Sequence, residues 1–154
     1  MRDAVGGSFM MKVFLIFLAT YIVFMAIALN YAKAFRVKNK IIDIIEQNEG
    51  IADFNNTNDE AIVKIGEYMN NIHYNMSSRG VREEDCKTRI TSDVVYYNET
   101  YGYCIGKKNP TPIDDNLEAE YYQVITFVDL YIPLLELDYL IPIKGETRKI
   151  ERIS

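Results

Sequence analysis

The chain has 154 residues, 17 Lys+Arg against 22 Asp+Glu and a net charge of −5, with 49% hydrophobic and 25% charged residues. That length is a prior of about one domain, the composition is that of a folded protein and excludes chain-wide disorder, and the net acidity argues against a nucleic-acid partner, whose phosphates need a concentrated positive surface. One His and two Cys exclude a zinc site with four Cys/His ligands.

The hydrophobic residues are unevenly spread. From Val13 to Leu29 the sequence VFLIFLATYIVFMAIAL holds no charge over 17 residues. With Phe9, Met10, Met11, Asn30, Tyr31 and Ala32 it makes a helix of about 20 residues, or about 30 Å, enough to cross a bilayer. Lys12 can snorkel to the nearer interface, and Tyr31 and Phe35 suit the opposite one.

Residues 1–49 carry six basic and four acidic side chains, and residues 50–154 carry 11 basic and 18 acidic ones. Lys33, Arg36, Lys38 and Lys40 follow the span directly. The positive-inside rule favours a cytoplasmic C-terminal side, but it weakens for long translocated segments. Cys86 and Cys104, with 17 residues between them, point the other way. They fit one disulfide, which persists in an oxidising compartment. The weight falls on a single-pass cell-membrane protein with an extracytoplasmic C-terminal domain. Ala26-Ile27-Ala28 offers the small-x-small pattern of a cleaved signal, which would make the protein secreted. Against cleavage, nothing between Ala28 and Asn48 breaks a helix, so a retained anchor is expected.

Beyond the span, Ile41, Ile42, Ile44 and Ile45 fall on one side, and Lys38, Lys40, Asp43 and Glu46 are polar. The expectation is one helix from Phe9 to Gln47, about 60 Å long, its second half projecting outward and Gly50 marking its stop. The organisation is thus an N-terminal segment, 1–49, with transmembrane and amphipathic helix, and an α+β domain, 50–154. In DFNNTNDE, a polar linker, Asn58 or Asp59 can cap a second helix. Ile62, Ile65, Met69 and Ile72 place that helix at 59–73.

After Ser78-Arg79-Gly80 the pattern changes. Val94–Asn98 and Tyr101–Ile105, joined by Glu99-Thr100, read as a hairpin, and Gly106–Pro110 as a loop. Tyr121–Ile132 is a strand, with Val124, Thr126, Val128 and Leu130 alternating against Ile125, Phe127 and Asp129. Pro133 ends central pairing. Leu140–Ile150 is the last strand, bent or edged by Pro142 and Gly145. Helices first and antiparallel strands after give an α+β order. A Cys86–Cys104 bond in so small a domain would contribute about 3 kcal/mol by restricting the unfolded chain. Glu83, Glu84 and Asp85 disfavour a reactive thiolate beside them.

Chemistry is thinly signalled. His73, the one imidazole, falls at a helix end, where a surface role is the plain reading. Asp114, Asp115, Glu118 and Glu120 lack EF-hand spacing, and there is no GxxxxGK[ST], GxGxxG or GxSxG. The expectation is a non-enzymatic protein with no cofactor. Asn55, Asn75 and Asn98 begin N-x-[ST] sequons, which chance explains in so Asn-rich a chain. Tyr96, Tyr97, Tyr101 and Tyr103 form a dense cluster. It is a candidate interface or ligand surface for a single-pass sensor. The competing reading, weighted slightly higher, is cross-strand packing in the hairpin. Ala19, Ala26, Ala28, Ala32 and Ala34 offer small surfaces for helix self-association.

At VFLIFLATYIVFMAIALNYAKAF, RVKNKIIDIIEQNEG and VITFVDLYIPLLELDYLIPIKGETRKI the chain resembles TadE-like and pilin-like proteins of tight-adherence (Flp) pilus systems. Tyr131-Ile132-Pro133 and Ile141-Pro142-Ile143 match the family's outline of apolar strand, proline break and final strand. The resemblance implies a membrane-anchored subunit with pilin, pilus-assembly or secretion partners. It departs from that pattern in one place: cleavage after Gly7 or Gly6 puts Lys12 or Met11 where prepilin processing favours Glu, and no Glu precedes Asp43. A minor pseudopilin or unprocessed assembly component is therefore implied, rather than a major pilin.

Overall fold

A computed structural model describes residues 2–54, 56–76, 80–92, 94–108, 112–114, 117–132 and 137–153. Asn55, Ser78, Arg79, Asn109, Pro110, Asp115 and Pro133, which entered the expectations above, lie outside the described residues. The element order is α1 (Arg2–Gln47), α2 (Glu60–Asn71), α3 (Glu83–Lys87), β1 (Val94–Asn98), β2 (Tyr103–Lys108), β3 (Pro112–Asp114), β4 (Leu117–Ile132), β5 (Leu137–Glu146) and β6 (Ile150–Ile153). This is the expected class: a long N-terminal apolar helix followed by a small α+β domain with a helix and an antiparallel sheet. Two compact units form, Met1–Lys33 and Ala34–Ser154.

The first unit is helix α1 up to Lys33. It starts at Arg2 rather than Phe9, running through Gly6 and Gly7. Thr20 returns its hydroxyl to the Ile16 carbonyl at 2.8 Å, so that polar group is satisfied within the helix.

In the second unit β4 is the hub, with every pairing antiparallel. Its middle residues, Gln123–Thr126, lie between β2 and β5, its N-terminal residues pair with β3 and β6, and Phe127–Ile132 pair with β5. β1 adds outside β2. The alternation read in β4 sorts two cores. Tyr122, Val124 and Val128 join Tyr103, Ile105 and Ile143 under the helices. Ile125 and Phe127 face the other way, with Cys104, Cys86, Val81 and Ile90.

The second half of α1 does not project outward. Ala34, Val37, Ile41, Ile44 and Ile45 are buried against the sheet and α2. Their i, i+3, i+4 spacing is the stripe a helix needs to lie on a sheet. Thr126, buried in this apolar face, donates its hydroxyl to the Ala34 carbonyl at 3.1 Å. The folded unit thus takes in residues that composition had grouped with the anchor.

Both helices in this core end in the same way. Glu49 (φ 55) follows α1 and His73 (φ 50) follows α2, each in the left-handed region. The amides of Gly50 and Tyr74 reach back to the carbonyls of Ile45 and Met69, and those of Glu49 and His73 to Glu46 and Asn70. That is the Schellman arrangement, and it closes α2 at Asn71, short of 73. Asp59 caps α2 as expected, accepting from Ala61 N–H at 3.0 Å, while its other oxygen accepts from Ala52 N–H at 2.9 Å.

Three expectations for the strands change. Lys107 and Lys108, read as loop, continue β2 opposite Tyr122 and Tyr121. The β1–β2 turn is longer, because the Asn98 side chain accepts from Tyr101 N–H and Gly102 is left-handed. The single last strand is two, β5 and β6. The break falls at Thr147, whose hydroxyl oxygen accepts from Tyr122 N–H at 2.9 Å and whose own amide donates to the Tyr122 carbonyl. Pro142 sits within β5 opposite Phe127, and β5 pairs only with β4 among the described residues. A residue without an N–H is tolerated at such an edge.

Candidate functional site

The largest feature available for interaction is the surface of α1. Phe14, Leu15, Ile16, Phe17, Tyr21, Ile22, Phe24 and Leu29 are all exposed, Phe17 by 71%. Single exposed apolar residues are ordinary on soluble proteins, but continuous helical cover by them is not. Among the described residues α1 is the one helix long and apolar enough to cross a membrane. Lipid chains are the environment in which that surface carries no hydration cost.

Of the four cations expected to follow the span, Lys38 is not a free headgroup ligand. It is 8% exposed, with its ammonium 4.3 Å from the centre of the Phe35 ring. Lys40 lies 3.6 Å from Asp43. Ala34, offered above as a small surface for self-association, is 1% exposed and belongs to the domain core.

The disulfide between Cys86 and Cys104 is present. Both residues are fully buried, and the bond links α3 to β2 on the sheet face away from α1. Segment 80–92, which carries α3, is a third layer. Its short helix is held where Arg82 N–H donates to the Asp85 carboxylate at 3.1 Å. Its close seat on the sheet depends on Gly106, where a Cβ would come within 2.2 Å of Ile90 Cγ2. Together the exposed span and the cross-link make this a single-pass membrane protein with an extracytoplasmic C-terminal domain.

The four tyrosines do not make one surface. Tyr103 is 1% exposed and packs in the helix-side core, with the Tyr96 ring 6.1 Å away, centre to centre. Burial, and then Tyr96 beside it, push the Tyr103 phenol far above its ordinary range. Tyr101 also packs on that side, whereas Tyr97 packs against the disulfide cluster on the opposite face. Tyr96, Tyr97 and Tyr101 are half-buried. Strand alternation splits the cluster, as cross-strand packing requires.

A polar joint that the sequence did not single out fastens the end of α1 to the sheet. Tyr122 is fully buried, and its hydroxyl accepts from Ile51 N–H at 3.1 Å. Its one proton lies between Glu120 Oε2, at 3.1 Å, and the Ile51 carbonyl, at 3.3 Å. Glu120 in turn meets Lys107 Nζ at 2.5 Å. Gly50 (φ +99) permits this approach, since a Cβ there would lie 2.6 Å from the Tyr122 oxygen. Glu46 adds a second clasp, accepting from Arg148 N–H at 2.7 Å. No local motif announces such a joint, because its parts are about 70 residues apart in sequence.

His73 is exposed in the cap of α2. Of the acidic group read above, Glu120 is engaged with Lys107 and Tyr122. Among the described residues no three His, Cys, Asp or Glu side chains gather as a metal-binding group. A notch of about 230 Å³ is lined by Asn48, Gly50, Ala52, Asp59, Glu60 and Ala61, where the Asp59 carboxylate is engaged as the α2 cap. Comparison with protein-family models, curated proteins and solved structures found no match.

Proposed function

We propose that this chain is a non-enzymatic, membrane-anchored subunit of an envelope assembly, a minor pilin, pseudopilin or assembly component of a tight-adherence type system. The observation that carries this reading is the division of labour along α1. One helix supplies an exposed apolar surface up to Lys33 and core residues of a disulfide-bonded domain from Ala34 onward. Membrane anchoring and the core of the domain therefore draw on one helix. The sequence resemblance to TadE-like and pilin-like proteins points the same way. Ala19, Ala26, Ala28 and Ala32, all exposed, would let other membrane helices approach closely.

The competing reading, an extracytoplasmic sensor or ligand-binding domain, leaned on the tyrosine cluster, and half-buried tyrosines split over two faces no longer favour it. A photo-crosslinking residue at Phe17 or Ile22, in the native envelope, separates the two. The proposal expects adducts with membrane-embedded subunits, whose genes should neighbour this one together with a secretion ATPase and a polytopic platform protein. Adducts with lipid alone would contradict it.

A further inference from the structure

Chance accounts for the number of N-x-[ST] sequons in so Asn-rich a chain, but the fold sets one of them apart. Asn55-Asn56-Thr57 and Asn75-Met76-Ser77 each include a residue outside the described ones, whereas Asn98-Glu99-Thr100 is described throughout. It belongs to the disulfide-bonded, extracytoplasmic domain, the setting in which such a triplet can act as a glycan acceptor. Asn98 ends β1, opposite Tyr103, and Glu99 and Thr100 begin the turn to β2. Glu99 and Thr100 are exposed, and Asn98 is half-buried. A glycan is bulky and hydrophilic, so its acceptor must face water, and an exposed turn at the end of a strand meets that need.

The turn also fixes which end of the Asn98 amide is presented. Tyr101 N–H donates to the Asn98 side chain at 3.0 Å, and Gly102 N–H donates to the Asn98 main-chain carbonyl at 2.9 Å. A backbone N–H needs an acceptor, so Oδ1 faces Tyr101 and Nδ2 takes the other branch of the amide. Nδ2 is the atom that carries an N-linked sugar. Substitution there leaves Oδ1 unchanged, and the modified side chain can keep the bond that shapes the turn. Thr100 is positioned as well, its carbonyl accepting from Met76 N–H at 3.0 Å. The middle residue, Glu99, is not the proline that bars a sequon.

We propose that Asn98 is an N-glycosylation site whose co-substrate is an oligosaccharide carried on a membrane lipid pyrophosphate. In the transfer Nδ2 forms a bond to the anomeric carbon of the sugar, and the bond from that carbon to the phosphate oxygen breaks. The lipid pyrophosphate leaves with the electron pair, and one Nδ2 proton passes to a base of the transferase. Nothing is oxidised or reduced. This inference rests on the extracytoplasmic topology and is independent of the pilus reading.

The test uses full-length protein purified from its native membrane, reduced, alkylated and cut with trypsin. Cleavage after Arg89 and Lys107 releases peptide 90–107, in which Asn98 is the sole Asn. The expected result is a peptide heavier than its sequence by a whole number of sugar residues. Asn98→Gln and Thr100→Ala should each return it to the sequence mass, whereas Thr100→Ser, which keeps the hydroxyl, should retain the sugar. Thr100→Ala leaves Asn98 and its turn bond in place, so it reports even where Asn98→Gln fails to fold. Peptide 90–107 found only at its sequence mass in the native protein would overturn the site and leave the anchor and the disulfide standing. Sugar that persists in Asn98→Gln would also overturn it, by placing the modification on the Thr91, Ser92 or Thr100 hydroxyl.

Discussion

Residues Met1–Lys33 and Ala34–Ser154 form separate compact units, and α1 contributes to both. Before Lys33 its large apolar side chains are exposed all round, whereas from Ala34 the apolar positions recur at helical spacing and are buried on one side. The difference lies in the pattern more than in the quantity of hydrophobic residues. A helix that is apolar on every side fits no single-faced core, and lipid is the solvent that suits it. A helix apolar on one stripe can be completed by a sheet. The same element thus answers to two solvents, and substitutions in its two parts should have separable effects.

The largest effect is expected in the first part. Phe17→Lys together with Ile22→Lys should cost roughly 3 kcal/mol per charge for membrane insertion. Flotation with liposomes should show the protein leaving the lipid fraction, while the thermal transition of the domain stays put. Phe127→Ala tests the other side. Phe127 is fully buried, and its truncation should destabilise the domain by about 3–5 kcal/mol in urea unfolding while flotation is unchanged. Should both variants alter both readouts, the two parts would not be independent.

Within the domain, the third layer can be weakened without touching α1. Replacing Cys86 and Cys104 together with Ala should cost about 3 kcal/mol in the chain-entropy account, a loss that reduction of the native protein should approximate.

A pH test addresses the helix-side core. Tyr74, buried with its hydroxyl donating to the Phe127 carbonyl at 3.1 Å, has its pKa raised to about 12 by burial and then by the charge of Asp129. Tyr103 is raised as well, by burial and by Tyr96. A raised acid holds its proton more tightly when folded, so this stability is fully present below the unfolded tyrosine value near 10. It is lost as pH rises from there through the folded value. Tyr74 alone accounts for about 3 kcal/mol across that window. Urea midpoints should therefore be insensitive to these tyrosines up to about pH 10 and fall above it, with tyrosinate absorbance appearing together with unfolding.

The smallest effect is a gain. His73 occupies a left-handed cap position that glycine adopts without steric cost. His73→Gly should raise stability by roughly 0.5–1 kcal/mol.

Much of the fold was legible because local physics determined it. The charge-free run, the Asp59 cap, the alternation in β4 and the spacing of Ile62, Ile65 and Met69 are all short-range signals. Segment 80–92 and the split of the last strand were less legible. The first is a five-residue helix stabilised by a disulfide to β2, and the second depends on Thr147 hydrogen bonding with Tyr122, far away in sequence. The candidate site divided in the same way. The apolar surface of α1 could be read directly, and the cysteine pair was readable from number and spacing. The tyrosines could be counted but not sorted by face until the register was known. The Tyr122 joint left no trace in the sequence, since Gly50, Ile51, Glu120 and Lys107 meet only after the sheet has formed.

The account depends on an apolar helix held in lipid and a domain folded where disulfides persist. Alkylation of the native full-length protein in separated membrane and soluble fractions tests both at once. The prediction is full-length chain confined to the membrane fraction, with Cys86 and Cys104 refractory to a maleimide under denaturing conditions until a reductant is added. Full-length chain in the soluble fraction with two thiols that react without reduction would contradict it.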